Sequence, residues 1–377
     1  MPNRSSLKLL NCFIKQIEKV MYTPYAEPHD TGFKKVLFGA SLLYGSATAF
    51  KRKLYQNKKY SIKKLPVPVV SVGNLVVGGT GKTPMTIYLA KLLRNQHYYP
   101  AILSRGYGGT FEKKGGIISD GNSILANSVQ AGDEPLMMAK ELIGIPVLVG
   151  RNRYQSGLRA IKKFGCNIVL LDDGFQHLRL YRDLNIVLLD AKLPMGNGYL
   201  LPRGILREPY CTLSAAHAVV FTRTPLKKPP IPSKIAKYIK PHTLFWAGQK
   251  IYPHYYFDGS KTNTPVSIAY LEGKKVYLFS GIARNDDFHH TIKTMGAQIM
   301  GHDIYGDHHR FCKEEIRAII EKAIKTTSEL LVTTEKDLAR IEDPIHWTLP
   351  FLAIGVKMTF SNNAFDRFVM RSIGVTC

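Results

Sequence analysis

Apolar residues fall along this chain mostly in unbroken runs rather than alternating with polar ones. Val67–Gly73 (VPVVSVG), Pro100–Gly106 (PAILSRG), Pro146–Gly150 (PVLVG), Cys166–Gly174 (CNIVLLDDG), Asn185–Ala191 (NIVLLDA) and Ala216–Arg223 (AHAVVFTR) are of this kind. A run apolar at nearly every position suits a strand covered on both faces, as inside a parallel sheet. The stretches between several of them accommodate crossover helices. Composition shifts at Lys227–Lys240 (KKPPIPSKIAKYIK), where proline and lysine dominate and a domain boundary is expected. A second series follows: Lys275–Gly281 (KVYLFSG), Ala297–Ile304 (AQIMGHDI), Leu330–Thr334 (LLVTT) and Phe351–Val356 (FLAIGV). The pattern predicts an α/β protein with a mostly parallel sheet flanked by helices and a second, smaller α/β domain. The expected division is a leader over 1–65, a first domain over 66–228 and a second over 229–377, with a return of the extreme C-terminus to the first domain left open.

The leader contains one more apolar run, Val36–Phe50 (VLFGASLLYGSATAF). Lys34 and Lys35 precede it, and Lys51, Arg52, Lys53, Lys58, Lys59, Lys63 and Lys64 follow. It is short of the roughly 20 residues a spanning helix needs. A short apolar helix between cations suits the interface of an anionic bilayer. The same pattern also suits a helix packed on the protein's own core with a solvated basic linker. No secretory signal is expected, because the first residues lack an apolar run followed by a small-residue cleavage site.

At 377 residues the chain is long enough for two domains. Its 52 Lys and Arg against 28 Asp and Glu give a formal charge of +24, which attracts anionic partners without choosing among them. The 5 cysteines (Cys12, Cys166, Cys211, Cys312, Cys377) are widely spaced with no C-x-x-C pair. That argues against a disulfide framework and a structural zinc site, and points to ordinary thiols in a reducing compartment. The charge alone would allow a nucleic-acid partner, but no stacking-aromatic or zinc-finger pattern supports one.

The strongest local signal is Val76–Thr83 (VVGGTGKT), between a buried strand and the helical stretch PMTIYLAKLLRN. Strand, glycine-rich loop, Gly-Lys-Thr and helix form the P-loop context. Gly78, Gly79, Thr80 and Gly81 would offer backbone N–H groups to phosphate oxygens at a helix N-terminus. Lys82 would reach the β- and γ-phosphates of ATP, and Thr83 would place its hydroxyl on Mg2+. The strict pattern wants glycine where this chain has Val76. Asp172 and Asp173 end a buried strand, where P-loop proteins hold Mg2+, although Asp-Asp-Gly is also an ordinary turn. Asp133 and Glu134 in AGDEP read on their own as acidic first-turn residues of a helix. His308 and His309 follow Asp307, and an aspartate beside histidine can orient an imidazole for proton transfer. A second pair, His289 and His290, shows that paired histidines are not special here, and neither pair has the spacing of a helical zinc site. Arg105 and Tyr107 in SRGYGG, Arg151 and Arg153 in VGRNR, and Arg203 and Arg207 in PRGILRE occupy glycine-rich loops, where a planar fork suits anionic oxygens.

Together the stretches SVGNLVVGGTGKTP, LSRGYGG, GDEPLMMA, VGRNR, LDDGFQHLRLYRDLNIVLLDA, GYLLPRGILREP, FSGIAR and YGDHHRF resemble the tetraacyldisaccharide 4'-kinases of lipid A biosynthesis. They run from about Ser71 to Phe311, some two thirds of the chain. The resemblance implies transfer of the ATP γ-phosphate to the 4'-hydroxyl of a tetraacylated glucosamine disaccharide 1-phosphate. It also implies a P-loop fold of two hinged α/β/α domains with the site in the cleft. An N-terminal interfacial helix would hold the protein, as a peripheral one, on the cytoplasmic face of the bacterial inner membrane. By motif, Asp133 would accept or steer the hydroxyl proton in a dyad with His308, and Lys82 would act on the phosphates. Gly78 to Thr83 and Arg207 would bind nucleotide, and Thr83, Asp172 and Asp173 would hold Mg2+. Asn74, Arg105, Tyr107, Glu134, Arg153, Gln176 and His177 would bind the anionic lipid disaccharide. Family members usually carry Ser or Thr where this chain has Val76. No obligatory protein partner is expected on this reading. The rival is a P-loop switch or assembly ATPase acting on a protein partner, with the basic leader as a docking arm.

Overall fold

The computed structural model describes residues 14, 16–22, 32–258, 266–341 and 347–374. Cys12, Cys377 and most of the leader before Gly32 lie outside these residues. In chain order the strands are β1 (Val69–Asn74), β2 (Pro100–Ser104), β3 (Gly116–Ser119), β4 (Val147–Val149), β5 (Ile168–Leu171) and β6 (Leu184–Asp190). They continue with β7 (Ala218–Thr222), β8 (Leu244–Phe257), β9 (Lys275–Ser280), β10 (Gln298–Ile304), β11 (Leu330–Thr334) and β12 (Phe351–Phe360). The helices that bear on the site are α1 (Gly32–Gln56), α2 (Lys82–Asn95), α3 (Asp133–Glu141), α4 (Arg153–Phe164), α5 (Asn285–Thr294), α6 (Lys313–Lys325), α7 (Glu335–Leu338) and α8 (Ala364–Ser372).

The chain forms two compact units. The first takes the described residues up to Lys82, then Ile168–Gly248, then those from Phe360 onward. Its strands run in the order β8–β7–β6–β1–β5, and each described pair is parallel. The central strands β1, β5, β6 and β7 are buried at every position, which is why their sequences are apolar throughout rather than alternating. β1 lies between β5 and β6, so the strand order reverses around it. Open α/β sheets bind ligands beyond the carboxyl ends of strands at such a point. One face is closed by a cluster of Leu75, Val76, Phe175, Val187, Leu189, Leu206 and Phe221.

The second unit takes Thr83–Asn167 and Gln249–Thr359. In one part β2 and β4 are parallel, and β3 runs antiparallel on β4. In the other, β10–β9–β11–β12 are parallel neighbours. Leu278, Val332 and Leu352 face one core, and Phe279, Leu331 and Phe351 face another. The alternation places successive side chains of one strand on opposite faces. α6 packs Ile316, Ile319, Ile320 and Ala323, a three-four spacing that makes one apolar stripe. It starts where Glu315 accepts from the Cys312 N–H at 3.1 Å.

Two strands go beyond the apolar-run reading. β3 is four residues from a glycine- and lysine-rich stretch. β8 is interrupted by Gly248, Lys250 and Pro253, and most of it is only half buried. Short or half-covered strands do not need the unbroken apolar signature, and proline lowers the signal further.

α1 packs one face on the protein and leaves others exposed. Leu37, Ser41 and Gly45, four residues apart, are buried, and a side chain at Gly45 would start 2.6 Å from Leu200 Cδ1. Arg203 Nη1 donates to the Lys34 carbonyl at 3.0 Å. Val36, Leu42, Leu43 and Phe50 on other faces are exposed. No described helix is long and apolar enough to cross a membrane.

Candidate active site

In the first unit the glycine-rich loop leaves β1 at Asn74 and is fixed from three sides. Val77 N–H donates to Ile205 O at 2.7 Å, and Arg207 N–H donates to Leu75 O at 2.7 Å. Val76 bridges Leu206 and joins the apolar cluster, so its side chain serves the core. Asn74 Nδ2 donates to Thr80 Oγ1 at 2.9 Å, and Gln176 Nε2 donates to the Asn74 carbonyl at 2.8 Å. Thr222 Oγ1 donates to the Thr80 carbonyl at 2.9 Å. Asn74, Thr80 and Gln176 are thus brought together as a brace around the loop. At Gly81 the chain turns through φ +85°, where a side chain would be strained, and α2 begins at the next residue. The first N–H groups of a helix and its dipole favour an anion at that point.

The LDDGF turn closes against the end of β1 at Gly73. A Cβ there would lie 2.5 Å from Phe175 Cβ and 2.7 Å from its backbone nitrogen, so only glycine lets the two segments meet. The turn leaves Asp172 buried at the tip of β5, with Asp173 next to it at φ +50°, a region costly for a non-glycine residue. Arg207 Nη1 lies 3.0 and 2.9 Å from the two Asp173 oxygens, and Lys82 Nζ is 3.8 Å from one of them. Asp190, buried at the tip of β6, holds Arg223 at 2.5 Å. Arg223 also has a positive φ, +54°, and its Nη2 is 3.7 Å from where a Gly79 side chain would begin. Lys82, Arg207 and Arg223 therefore surround the loop, each partnered by an aspartate. His177 follows in the same turn, its carbonyl 3.5 Å from Arg182 Nη1.

In the second unit Asp133 is the first residue of α3. No side chain caps this helix at Gly132; the Asp133 carboxylate faces two other groups instead. Arg340 Nε donates to Asp133 Oδ2 at 2.9 Å, and His308 Nδ1 lies 3.4 Å from the same oxygen. Burial pushes the Asp133 carboxyl up. The interaction with His308 and the Arg340 guanidinium outweigh that and leave it below the ordinary carboxylate value. The Asp133 hydrogen bond raises the His308 imidazole above its ordinary value, against burial and the Arg340 charge. His308 sits at φ +63°. Glu134 pairs with Lys336 at 2.9 Å, and this attraction raises the Lys336 ammonium.

The other predicted residues divide. The SRGYGG loop packs against the start of α3: a Gly132 Cβ would be 2.8 Å from the Tyr107 carbonyl. Tyr107 is itself exposed, and Arg105 pairs with Glu112 at 2.5 Å. Arg153 is buried and donates to the Gly150 carbonyl at 3.1 Å, which ties down the turn before α4. His309 goes to Glu315 at 2.9 Å and His289 faces His302 at 3.4 Å, so neither joins Asp133. Arg340, Asp337, Lys336, Asp190 and Arg223 were not singled out by sequence. A signal existed: TTEKD after β11 and LLDA at the end of β6 repeat the pattern of acids leaving a buried strand, already used for Asp172 and Asp173.

A sequence model described as tetraacyldisaccharide-1-P 4'-kinase matches residues 33–374. The chain belongs to this kinase family. It is 39% identical over 355 residues to the tetraacyldisaccharide 4'-kinase of Desulfatibacillum aliphaticivorans, covering 90% of this chain and 93% of that one. To the enzyme of the same name from Syntrophus aciditrophicus it is 37% identical over 341 residues, covering 88% and 90%. Among solved structures it is similar to LpxK from Aquifex aeolicus in complex with ATP, with a TM-score of 0.71 and 32% identity over 90% of this chain and 99% of that one. Membership of the 4'-kinase family makes this chain a phosphotransferase and favours that reading over a switch ATPase.

Proposed function

We propose that the protein transfers the γ-phosphate of ATP to the 4'-hydroxyl of a tetraacylated glucosamine disaccharide 1-phosphate in lipid A biosynthesis. The observation that carries the chemistry is Asp133, a carboxylate held ionised beside His308 in a chain that also has a braced glycine loop opening on a helix N-terminus. The hydroxyl oxygen attacks the γ-phosphorus in line, the bond from that phosphorus to the β–γ bridging oxygen breaks, and ADP leaves. The hydroxyl proton passes to the Asp133–His308 pair. Phosphoryl transfer asks little covalent work of a protein, so positioning and charge neutralisation dominate. The backbone N–H groups of 78–81, with Lys82 and Arg207, gather the phosphate charge. Once a triphosphate engages these cations, their hold on Asp173 is shared with it.

Thr83 and Asp172 are the residues that would hold Mg2+, Asp173 being engaged by Arg207 and Lys82. Thr83 offers a hydroxyl and Asp172 a carboxylate, both buried hard oxygens. Among the described residues no group of three or more His, Cys, Asp or Glu forms a self-contained metal cage. Mg2+ is commonly held by one or two carboxylates plus phosphate oxygens. It would supply charge neutralisation across the β- and γ-phosphates.

The exposed apolar face of α1, with Lys34, Lys35, Lys51 and Lys53 around it, supports peripheral binding to the cytoplasmic face of the inner membrane. Incubation with labelled ATP and vesicle-borne disaccharide 1-phosphate should place the label on the sugar in proportion to ADP formed. Hydrolysis without a labelled lipid overturns the kinase reading. Unchanged rates on vesicles after Leu42→Gln, Leu43→Gln and Phe50→Gln together would overturn the membrane role of α1.

A further inference from the structure

The Asp133–His308 pair rests on a third group whose chemistry constrains it. Arg340 is 1% exposed at its side chain, and its guanidinium nitrogens meet two kinds of neighbour. On one side Nη1 donates to the Gly281 carbonyl at 2.8 Å and to Asp337 Oδ1 at 3.2 Å. Asp337 is fully buried, accepts from the Gly281 N–H at 3.1 Å, and accepts from Thr334 Oγ1 at 2.7 Å. The Gly281 carbonyl also receives the His308 N–H at 3.2 Å. The guanidinium is therefore anchored at its far edge to groups that cannot move without exposing a buried polar atom.

At the near edge, Arg340 Nε binds Asp133 Oδ2, and Arg340 Nη2 lies 3.1 Å from His308 Nδ1. The same Nδ1 is 3.4 Å from Asp133 Oδ2. A guanidinium only donates and a carboxylate only accepts, whereas one imidazole nitrogen either carries a proton or offers a lone pair. Nδ1 cannot satisfy both neighbours at once. Protonated, it donates to Asp133 and meets an Arg340 N–H head on. Bare, it accepts from Arg340, and the proton of the neutral ring sits on Nε2, 3.8 Å from Asp307 Oδ2. The shorter contact is the one to Arg340.

We propose that Arg340 is the positioning residue of the proton-accepting pair: it holds neutral His308 with its proton on Nε2 and opposes uptake of a proton by Asp133 and His308. The inference rests on the proposed role of Asp133. Arg340 orients Asp133 through Nε and sets through Nη2 how readily the pair releases the proton it has taken. The other charges facing the pair are Asp307 from its own loop, Glu134 on α3, and Lys336 and Asp337 on α7. Lys336 and Glu134 neutralise each other, Asp337 holds only the far edge of Arg340, and His309 is turned to Glu315. Asp307 and Asp133 favour the protonated ring, and Arg340 is the cation set against them.

The test begins with the unaltered protein. Long-range 1H–15N spectra of His308, assigned through His308→Gln, should show the Nε2–H tautomer in the neutral ring; a dominant Nδ1–H tautomer would overturn the proposal. In Arg340→Met the His308 pKa should rise and the acid limb of the kcat/KM profile should move up by about one pH unit, the size expected for removing one nearby charge. Arg340→Lys, which keeps a charge, should retain most of the limb's position while kcat falls. A uniform loss of rate in Arg340→Met with limb and tautomer unmoved would reduce Arg340 to a structural role. If Arg340→Met does not fold, Arg340→Lys and the wild-type tautomer still decide. Near-normal turnover of Asp133→Ala would instead sink the proton-acceptor reading, while the tautomer measurement would still report on Arg340.

Discussion

Two aspartates of this molecule, each held by arginine, are held very differently. Asp173 is a third exposed and is shared between Arg207, which is 27% exposed, and the more distant Lys82. Asp133 is 12% exposed, and its arginine is almost fully buried and anchored to a second buried carboxylate. The first arrangement leaves Asp173 and Arg207 within reach of water, as suits a place that must receive a highly charged anion. The second is already closed on itself, as suits a group whose protonation must be set before the substrate arrives. Exposed ion pairs contribute little and yield easily, whereas a buried charge stripped of its partner is costly.

The largest test of this contrast removes the closed side. Asp133→Ala should lower kcat by roughly 10²- to 10⁴-fold, the range for loss of a general base, while calorimetric binding of Mg·ATP stays nearly unchanged. An equal loss of nucleotide affinity would mean the two sides are not separate in function. Next, Asp337→Ala leaves the inner edge of Arg340 without its carboxylate and should cost about 3 kcal/mol in chemical unfolding, as broken buried pairs do. Removing Glu112 from the exposed Arg105 should cost under about 1 kcal/mol.

A smaller effect tests the packing beneath the open side. Gly73→Ala forces a methyl into the Phe175 backbone and should destabilise by about 1–3 kcal/mol, with binding of Mg·ATP weakened because the LDDGF turn moves.

The smallest effect is in pH. Asp133 lies below its ordinary value of 3.8, so its contribution is present above that value and is lost as pH falls through the folded pKa. His308 lies above its ordinary 6.5, so its contribution is full below 6.5 and is lost as pH rises through the folded pKa. The attraction within the pair is then greatest between those two ordinary values. Because His308 is half exposed, solvent screening keeps it below about 1 kcal/mol. Unfolding free energies of wild type and His308→Gln should differ by a steady amount just below 6.5 and converge as pH rises above it; curves that stay parallel across 6.5 would contradict the assignment.

The amino-acid sequence determined the α/β class, ten of the strands, the glycine loop and the aspartates at the tip of β5. Each is a local matter: continuous apolar runs, a glycine spacing, acids leaving a buried strand. It did not reveal β8, whose half-covered residues lack that pattern, or the role of Arg340, which follows the acids that leave β11 without belonging to that pattern. Only the tertiary structure brought Arg340 to Asp133, 207 positions away in sequence, and gave one imidazole nitrogen two incompatible partners. Hydrogen bonding within a buried cluster depends on which groups the fold makes adjacent and on how many of their donors and acceptors can be satisfied together. Nothing in the linear order of residues carries that information.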